Sequence, residues 1–251
     1  GGRIGRYLDG RLNGELVDRA KGLVQLPLVA DRSPTEIQDD LAESHRTLNS
    51  RGITSIRYPG ASPEMYDMLL ALREEGRLNI RVDFLYRGPR SGSPEVLNEV
   101  MQGWAQGEGD DFWLRVGGVK LGIDGGFEGG LMREPYEEPW GEGGTFYGLQ
   151  TLPRESFLET VQVLHSAGWR VATHAVGDAA IDLVLDAYEA ADAESSIASS
   201  RWVIEHGFIP RSDQFPRMKD LGLAVSAQNH LYLSAPSLMK YWGEERAAWT
   251  T

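Results

Sequence analysis

The sequence predicts an α/β fold, a parallel TIM (β/α)8 barrel that is incomplete in this chain. Three observations carry that expectation. Strand-like and helix-like segments alternate, and parallel neighbours need such crossovers. The first strand of the series ends Arg57-Tyr58-Pro59-Gly60, without the Gly-rich fingerprint of an open dinucleotide-binding sheet. Polar residues gather at the C-terminal ends of several strands: Lys120 and Asp124, then His174, then Glu205 and His206, then Gln228, Asn229 and His230.

The elements follow in order. Thr35 to Asn49 reads as a helix, with Ser33-Pro34 as N-cap and first-turn proline and Ile37, Leu41 and Leu48 at helical spacing. Gly52 ends it, and Ile53 to Tyr58 is the first strand. Ser62-Pro63 opens a second helix with Met65, Met68, Leu69 and Leu72 on one face. Asn79 to Tyr86 is a strand, Glu95 to Trp104 a helix, and Val116 to Ile123 a strand weakened by its glycines. After a long loop come a helix at Pro153 to Ala167, a strand at Arg170 to Ala175 and a helix at Asp178 to Ala190. A strand at Arg201 to Ile209, a helix at Arg211 to Leu221 and a strand at Leu223 to Leu231 close the series. That makes six strands where a closed barrel needs eight.

Composition narrows the function. With 25 basic and 37 acidic residues the net charge is −12, a field that repels phosphate backbones and argues against nucleic acid. The absence of Cys excludes disulfides, a thiolate nucleophile and Cys-ligated zinc. No apolar run approaches the ~20 residues of a membrane span, so no membrane partner is expected. No targeting segment is visible, which favours the cytoplasm. The chain opens Gly1-Gly2-Arg3 without Met and ends Trp249-Thr250-Thr251, and is expected to be an internal piece of a longer polypeptide.

His45 and His165 sit inside helices and read as helix-face residues. His174 and His206 occupy the same relative position on consecutive strands, where strand becomes loop, and point to a shared site. Imidazole is the commonest metal ligand, and its second nitrogen needs an orienting partner. Asp178 is either that partner for His174 or a cap for the following helix. Lys120 faces inward, paired, neutral or modified, or outward along the barrel wall. Adjacent strand residues face opposite ways, so only one of Glu205 and His206 enters the barrel unless the strand bends. Residues Phe127 to Leu149 form a long aperiodic loop with Tyr136, Trp140, Phe146 and Tyr147, expected to lid the pocket and set substrate preference.

The runs VKLGIDG from Val119, HAVGDAAID from His174, IEHGFI from Ile204 and VSAQNHL from Val225 together resemble amidohydrolase family 3, the branch with N-substituted formamide deformylases. The opening residues and Gly52 to Ile56 extend the likeness along nearly the whole chain. The resemblance implies a distorted barrel of the metal-dependent hydrolase type with one or two divalent metals, zinc favoured and manganese, iron or cobalt open. It implies Lys120, often carbamylated in the family, with His174 and His206 as catalytic metal ligands; the strand-end, cap and loop residues Asp124, Asp178, Gln228 and Trp140 are expected beside the substrate or behind the ligands. The family's His-x-His pair and final aspartate have no counterpart here, nor does its small β-sandwich, so residues 1–251 correspond to one partial catalytic domain, roughly barrel strands two to seven. The expected activity is hydrolysis of a non-peptide C–N bond in a small amide-type substrate by metal-activated water. Two readings compete: a glycoside hydrolase using Asp124 and Glu205, and a truncated, non-catalytic barrel. Unpaired strand edges would favour a homo-oligomer.

Overall fold

The computed structural model describes residues 2–24, 32–89, 93–106, 111–137 and 144–250. Contacts divide the chain into two units, residues 1–40 and 41–251. In the first unit β1 (Gly2–Arg6) and β2 (Leu12–Asp18) form an antiparallel hairpin, followed by a 3-10 turn at Arg19–Leu23. The Tyr7 N–H donates to the Arg11 carbonyl at 2.8 Å across the turn, where Gly10 takes a φ of 83°. The sequence reading assigns no strand before Ile53. Only one apolar residue stands in β1, so no alternation shows there. Helix α1 (Pro34–Ser50) starts with a reciprocal cap: Ser33 N–H donates to Glu36 Oε2 at 2.8 Å, and Glu36 N–H to Ser33 Oγ at 3.3 Å.

The second unit is built on six parallel strands in sequential order: β3 (Ser55–Ala61), β4 (Arg81–Arg87), β5 (Leu114–Gly122), β6 (Val171–Ala175), β7 (Val203–His206) and β8 (Ala224–Ser226). Between them run α2 (Pro63–Glu74), α3 (Pro94–Met101), α4 (Arg154–Ser166), α5 (Asp178–Glu194) and α6 (Gln214–Asp220). The sheet is curled into an incomplete barrel. Arg57 on β3 and Glu205 on β7 are four strand spacings apart in the sheet, about 19 Å if it were flat, yet their side chains meet at 2.7 Å. Helices cover the outer face. Tyr86 there stacks on Trp104 with centroids 4.6 Å apart, and Trp169 meets both edge-on. The inner face holds a smaller apolar cluster of Leu85, Ala172 and Val203.

The largest differences from the sequence reading lie in the last third of the chain. The strand expected to run to Ile209 stops at His206, because His206 and Gly207 both turn left-handed. The strand expected to run to Leu231 spans only Ala224–Ser226 and gives way to a 3-10 turn at Asn229–Ser234. Helix α7 (Ala235–Ala247) follows, where the sequence reading assigns no element. Its buried stripe is Leu238, Trp242 and Arg246, with a charged third member, and Gly243 interrupts it at φ 80°. Among the described residues no helix is long and apolar enough to cross a membrane.

The glycines that weaken β5 in sequence terms have a structural use. The pairing of β4 with β5 steps from Phe84↔Val116 to Leu85↔Gly118, so Gly117 is the extra residue of a bulge. A Cβ on Gly117 would strike the Asp83 carboxylate, and one on Gly118, at φ 133°, the Arg170 carbonyl. Gly168, which ends α4 at φ 78°, has open space around it. Gly168→Ala is therefore expected to cost about 1–2 kcal/mol of backbone strain alone, and Gly118→Ala clearly more. Urea unfolding of the two variants measures the difference; equal losses would deny the close approach a role.

Candidate active site

Parallel pairing sets His174 opposite Glu205 and Ala175 opposite His206. Paired residues share a face of a sheet and neighbours alternate. His174 and Glu205 thus point inward, and a regular strand would turn His206 out. The left-handed backbone of His206, at φ 77°, redirects it. The two imidazole rings then lie 4.4 Å apart between centroids, at 75° to one another. A non-glycine residue held there stores about 1–3 kcal/mol of strain, which collects at functional sites. Glu205 and His206 both belong to the barrel interior and its mouth.

Each histidine has a hydrogen-bond partner that sets its tautomer. His174 Nε2 donates to the Gly125 carbonyl at 2.9 Å, which leaves Nδ1 as the lone-pair nitrogen of the neutral ring. His206 Nδ1 donates to Gln228 Oε1 at 2.8 Å, which leaves Nε2 in that form. Gln228 comes from the segment just after β8, so three consecutive strand ends build the pair.

Asp124 anchors the rim. Its carboxylate accepts hydrogen bonds from Leu131 N–H (3.0 Å), Val176 N–H (3.1 Å) and Gly177 N–H (2.9 Å), and lies 3.4 Å from His174 Nε2. Burial pushes its pKa up to about 7, against the pull of those three donors. Lys120 lies inward on β5. A Cβ on Gly60 of β3 would meet its stem at 3.2 Å, and its Nζ donates to the Leu121 carbonyl at 3.3 Å. Burial pushes the Lys120 amine down to about 8, partly offset by Glu205 and reinforced by Arg57. A large neutral fraction is present near that pH, and the neutral amine is the form able to bind a metal or carbon dioxide.

Asp178 is the first residue of α5. Its Oδ1 accepts from Arg133 N–H at 2.8 Å and Ala179 N–H at 2.9 Å, and its Oδ2 sits 3.3 Å from Arg211 Nε. Burial pushes its pKa up, opposed by the Arg133 amide and the Arg211 charge. Its hydrogen bonds tie the loop after β5 to the start of α5. Trp140 lies outside the described residues, as does the middle of the expected lid. The flanks of that loop are anchored: Tyr136 OH donates to the Gly130 carbonyl at 2.9 Å, and Trp242 Nε1 to the Phe127 carbonyl at 3.0 Å.

Neither carboxylate of the glycosidase reading stands free. Asp124 is enclosed by amides, and Glu205 is paired with Arg57 at 2.7 Å. The sequence reading gives Arg57 no charge role; an arginine between Ile56 and Tyr58 in a strand is the available sign of a charge facing inward. Among the described residues no three His, Asp or Glu side chains come together as a metal-binding group. The two imidazoles, and a neutral or carbamylated Lys120 on β5, are residue types able to ligate a divalent cation.

Residues 1–251 match the sequence profile of the Amidohydrolase family. The chain is 31% identical over 260 residues to Protein LONG AFTER FAR-RED 3 of Arabidopsis thaliana, covering 98% of this chain and 43% of that one. It is 25% identical over 264 residues to N-substituted formamide deformylase of Arthrobacter pascens, covering 99% of this chain and 44% of the relative. Among solved structures, an uncharacterized metal-dependent hydrolase from Pyrococcus furiosus superposes with a TM-score of 0.73 at 27% identity, over 97% of this chain and 48% of that one. The chain thus spans less than half the length of these proteins.

Two outcomes follow from the interior charges. Arg57→Met strands the Glu205 carboxylate in the barrel and should lower stability by about 2–3 kcal/mol, whereas Arg57→Met with Glu205→Leu should recover most of it. Urea unfolding of the cycle tests this, and a double variant as weak as the single would contradict it. In metal-free protein the unfolded chain holds the Lys120 proton up to the ordinary 10.5 and the folded chain only to about 8. The penalty is full below pH 8 and disappears above 10.5, so Lys120→Met should stabilise by about 1–3 kcal/mol at pH 7. Thermal melts from pH 7 to 10.5 should show that gain fading.

Proposed function

The chain belongs to the amidohydrolase family, and from that premise we propose that it takes part in hydrolysis of a non-peptide C–N bond in a small amide- or formamide-type substrate. The observation that carries the reading is the convergence of His174 and His206 through a strained backbone, each ring oriented by a hydrogen bond at one nitrogen. His174 and His206, with Lys120, would hold a divalent metal, zinc by the chemistry of the donors. When bound, such a metal lowers the pKa of its water towards ~7 and polarises the scissile carbonyl.

The chain's own residues prepare that chemistry. Gly125 and Gln228 hold the imidazoles in place through their outer nitrogens. Asp124 clamps the loop after β5 onto the end of β6, which keeps Gly125 under His174. The neutral Lys120 amine, on adding carbon dioxide and releasing a proton, becomes an oxygen-bearing carbamate suited to a hard cation. The segment from Phe127 to Leu149, whose described flanks are held by Tyr136 and Trp242, would set substrate preference. The relative that deformylates N-substituted formamides supports that substrate class over sugars. The activity proposed is that of the whole protein, to which these residues contribute.

Elemental analysis and turnover of an N-substituted formamide test the reading together. One or two divalent ions per chain are expected, with His206→Ala losing the metal and at least a hundredfold in rate. Turnover that persists at full rate in metal-free, chelator-treated protein would overturn it.

A further inference from the structure

The inner face of the curled sheet has a second polar region, at the end opposite the histidines. A cavity of about 480 Å³ opens there, and its wall includes Arg57, Asp83, Arg115, Arg170, Ser200 and Arg201. These residues stand at or before the N-terminal ends of β3 to β7, whereas His174 and His206 stand at the C-terminal ends of β6 and β7.

The charges do not balance. Four guanidinium groups line the cavity. Among the described residues two carboxylates answer them: Asp83, 3.0 Å from Arg115 and 3.4 Å from Arg57, and Glu205, 2.7 Å from Arg57. Four minus two leaves an excess of two positive charges, in a chain whose net charge is −12. Among the described residues Arg170 is fixed on the wall by backbone carbonyls, donating from Nε to that of Arg201 at 2.9 Å and from Nη1 to that of Gly117 at 3.3 Å. Arg57 Nη2 is buried without a hydrogen-bond partner among the described residues. Arg201 holds a left-handed backbone at φ 50° beside the cavity. Burial, and the crowding by Arg57 and Arg115, lower the Arg170 pKa against the pull of Asp83. Like charges gathered in a partly buried space repel one another unless an anion sits among them, and a guanidinium fork matches a planar or tetrahedral oxyanion.

We propose that this cavity is an oxyanion site, separate from the histidine pair, that takes a small molecule through a phosphate or carboxylate group. Arg115 and Arg201 reach it from the exposed rim and Arg57 and Arg170 from the wall, while Ser200 offers a hydroxyl.

The test is thermal melting and calorimetry of the full chain with inorganic phosphate or succinate, against chloride at equal ionic strength. A saturable rise with either anion, weakened about tenfold or more by Arg115→Ala or Arg201→Ala and unchanged by the remote Arg46→Ala, is expected. Both rim side chains are exposed, so their truncation should leave the fold intact. Phosphate alone binding would mark a phosphorylated ligand, and succinate alone a carboxylate ligand. No preference over chloride, or equal binding by the rim variants, would overturn the proposal and leave the excess charge to carboxylates of another chain segment.

Discussion

In a parallel sheet every strand finishes at the same rim, and curling the sheet brings those rims around one space. The whole site depends on that constraint. His174, His206 and Gln228 come from three consecutive strand ends and meet only because β6, β7 and β8 run in one direction at one-strand spacing. The same curl carries Arg57 across the interior to Glu205, an ion pair that no flat sheet could form. Parallel neighbours in turn require the helical crossovers that make the outer core.

The rim itself is held by a buried carboxylate. Asp124 leaves β5, enters the interior, and accepts from two amides at the β6–α5 junction and one in its own loop. Such a group is expensive to bury, and the three donors are what make it tolerable. The result is a loop whose backbone, at Gly125, supports a histidine. Asp178 does comparable work a few residues further on, joining Arg133, the start of α5 and Arg211.

Local strain completes the arrangement. A regular strand puts Glu205 and His206 on opposite faces. The left-handed turn at His206 and Gly207 lets the first keep its interior pairing with Arg57 while the second turns to face His174. The strain at His206 is stored where two polar side chains converge. At the opposite end of the strands the glycine bulge of β5 makes room for Asp83 and for the Arg170 carbonyl. A charged floor and a histidine mouth are therefore built from one sheet, with Arg57 and Glu205 between them.

By itself the sequence determined the order and kind of the elements from Thr35 to Ser226, the parallel topology, and the positions of Lys120, His174 and His206 at strand ends. Those follow from local periodicity, capping residues and the need for crossovers, each readable over a dozen residues. It did not show the N-terminal hairpin, whose strands lack alternation, or α7, whose buried stripe includes Arg246 and is broken by Gly243. Only the tertiary structure decided that Glu205 and His206 both serve the interior, that Asp124 grips three amides, and that Gln228 orients His206. The reason is physical: these depend on one residue's φ and on contacts between residues up to 53 positions apart, which no local pattern encodes.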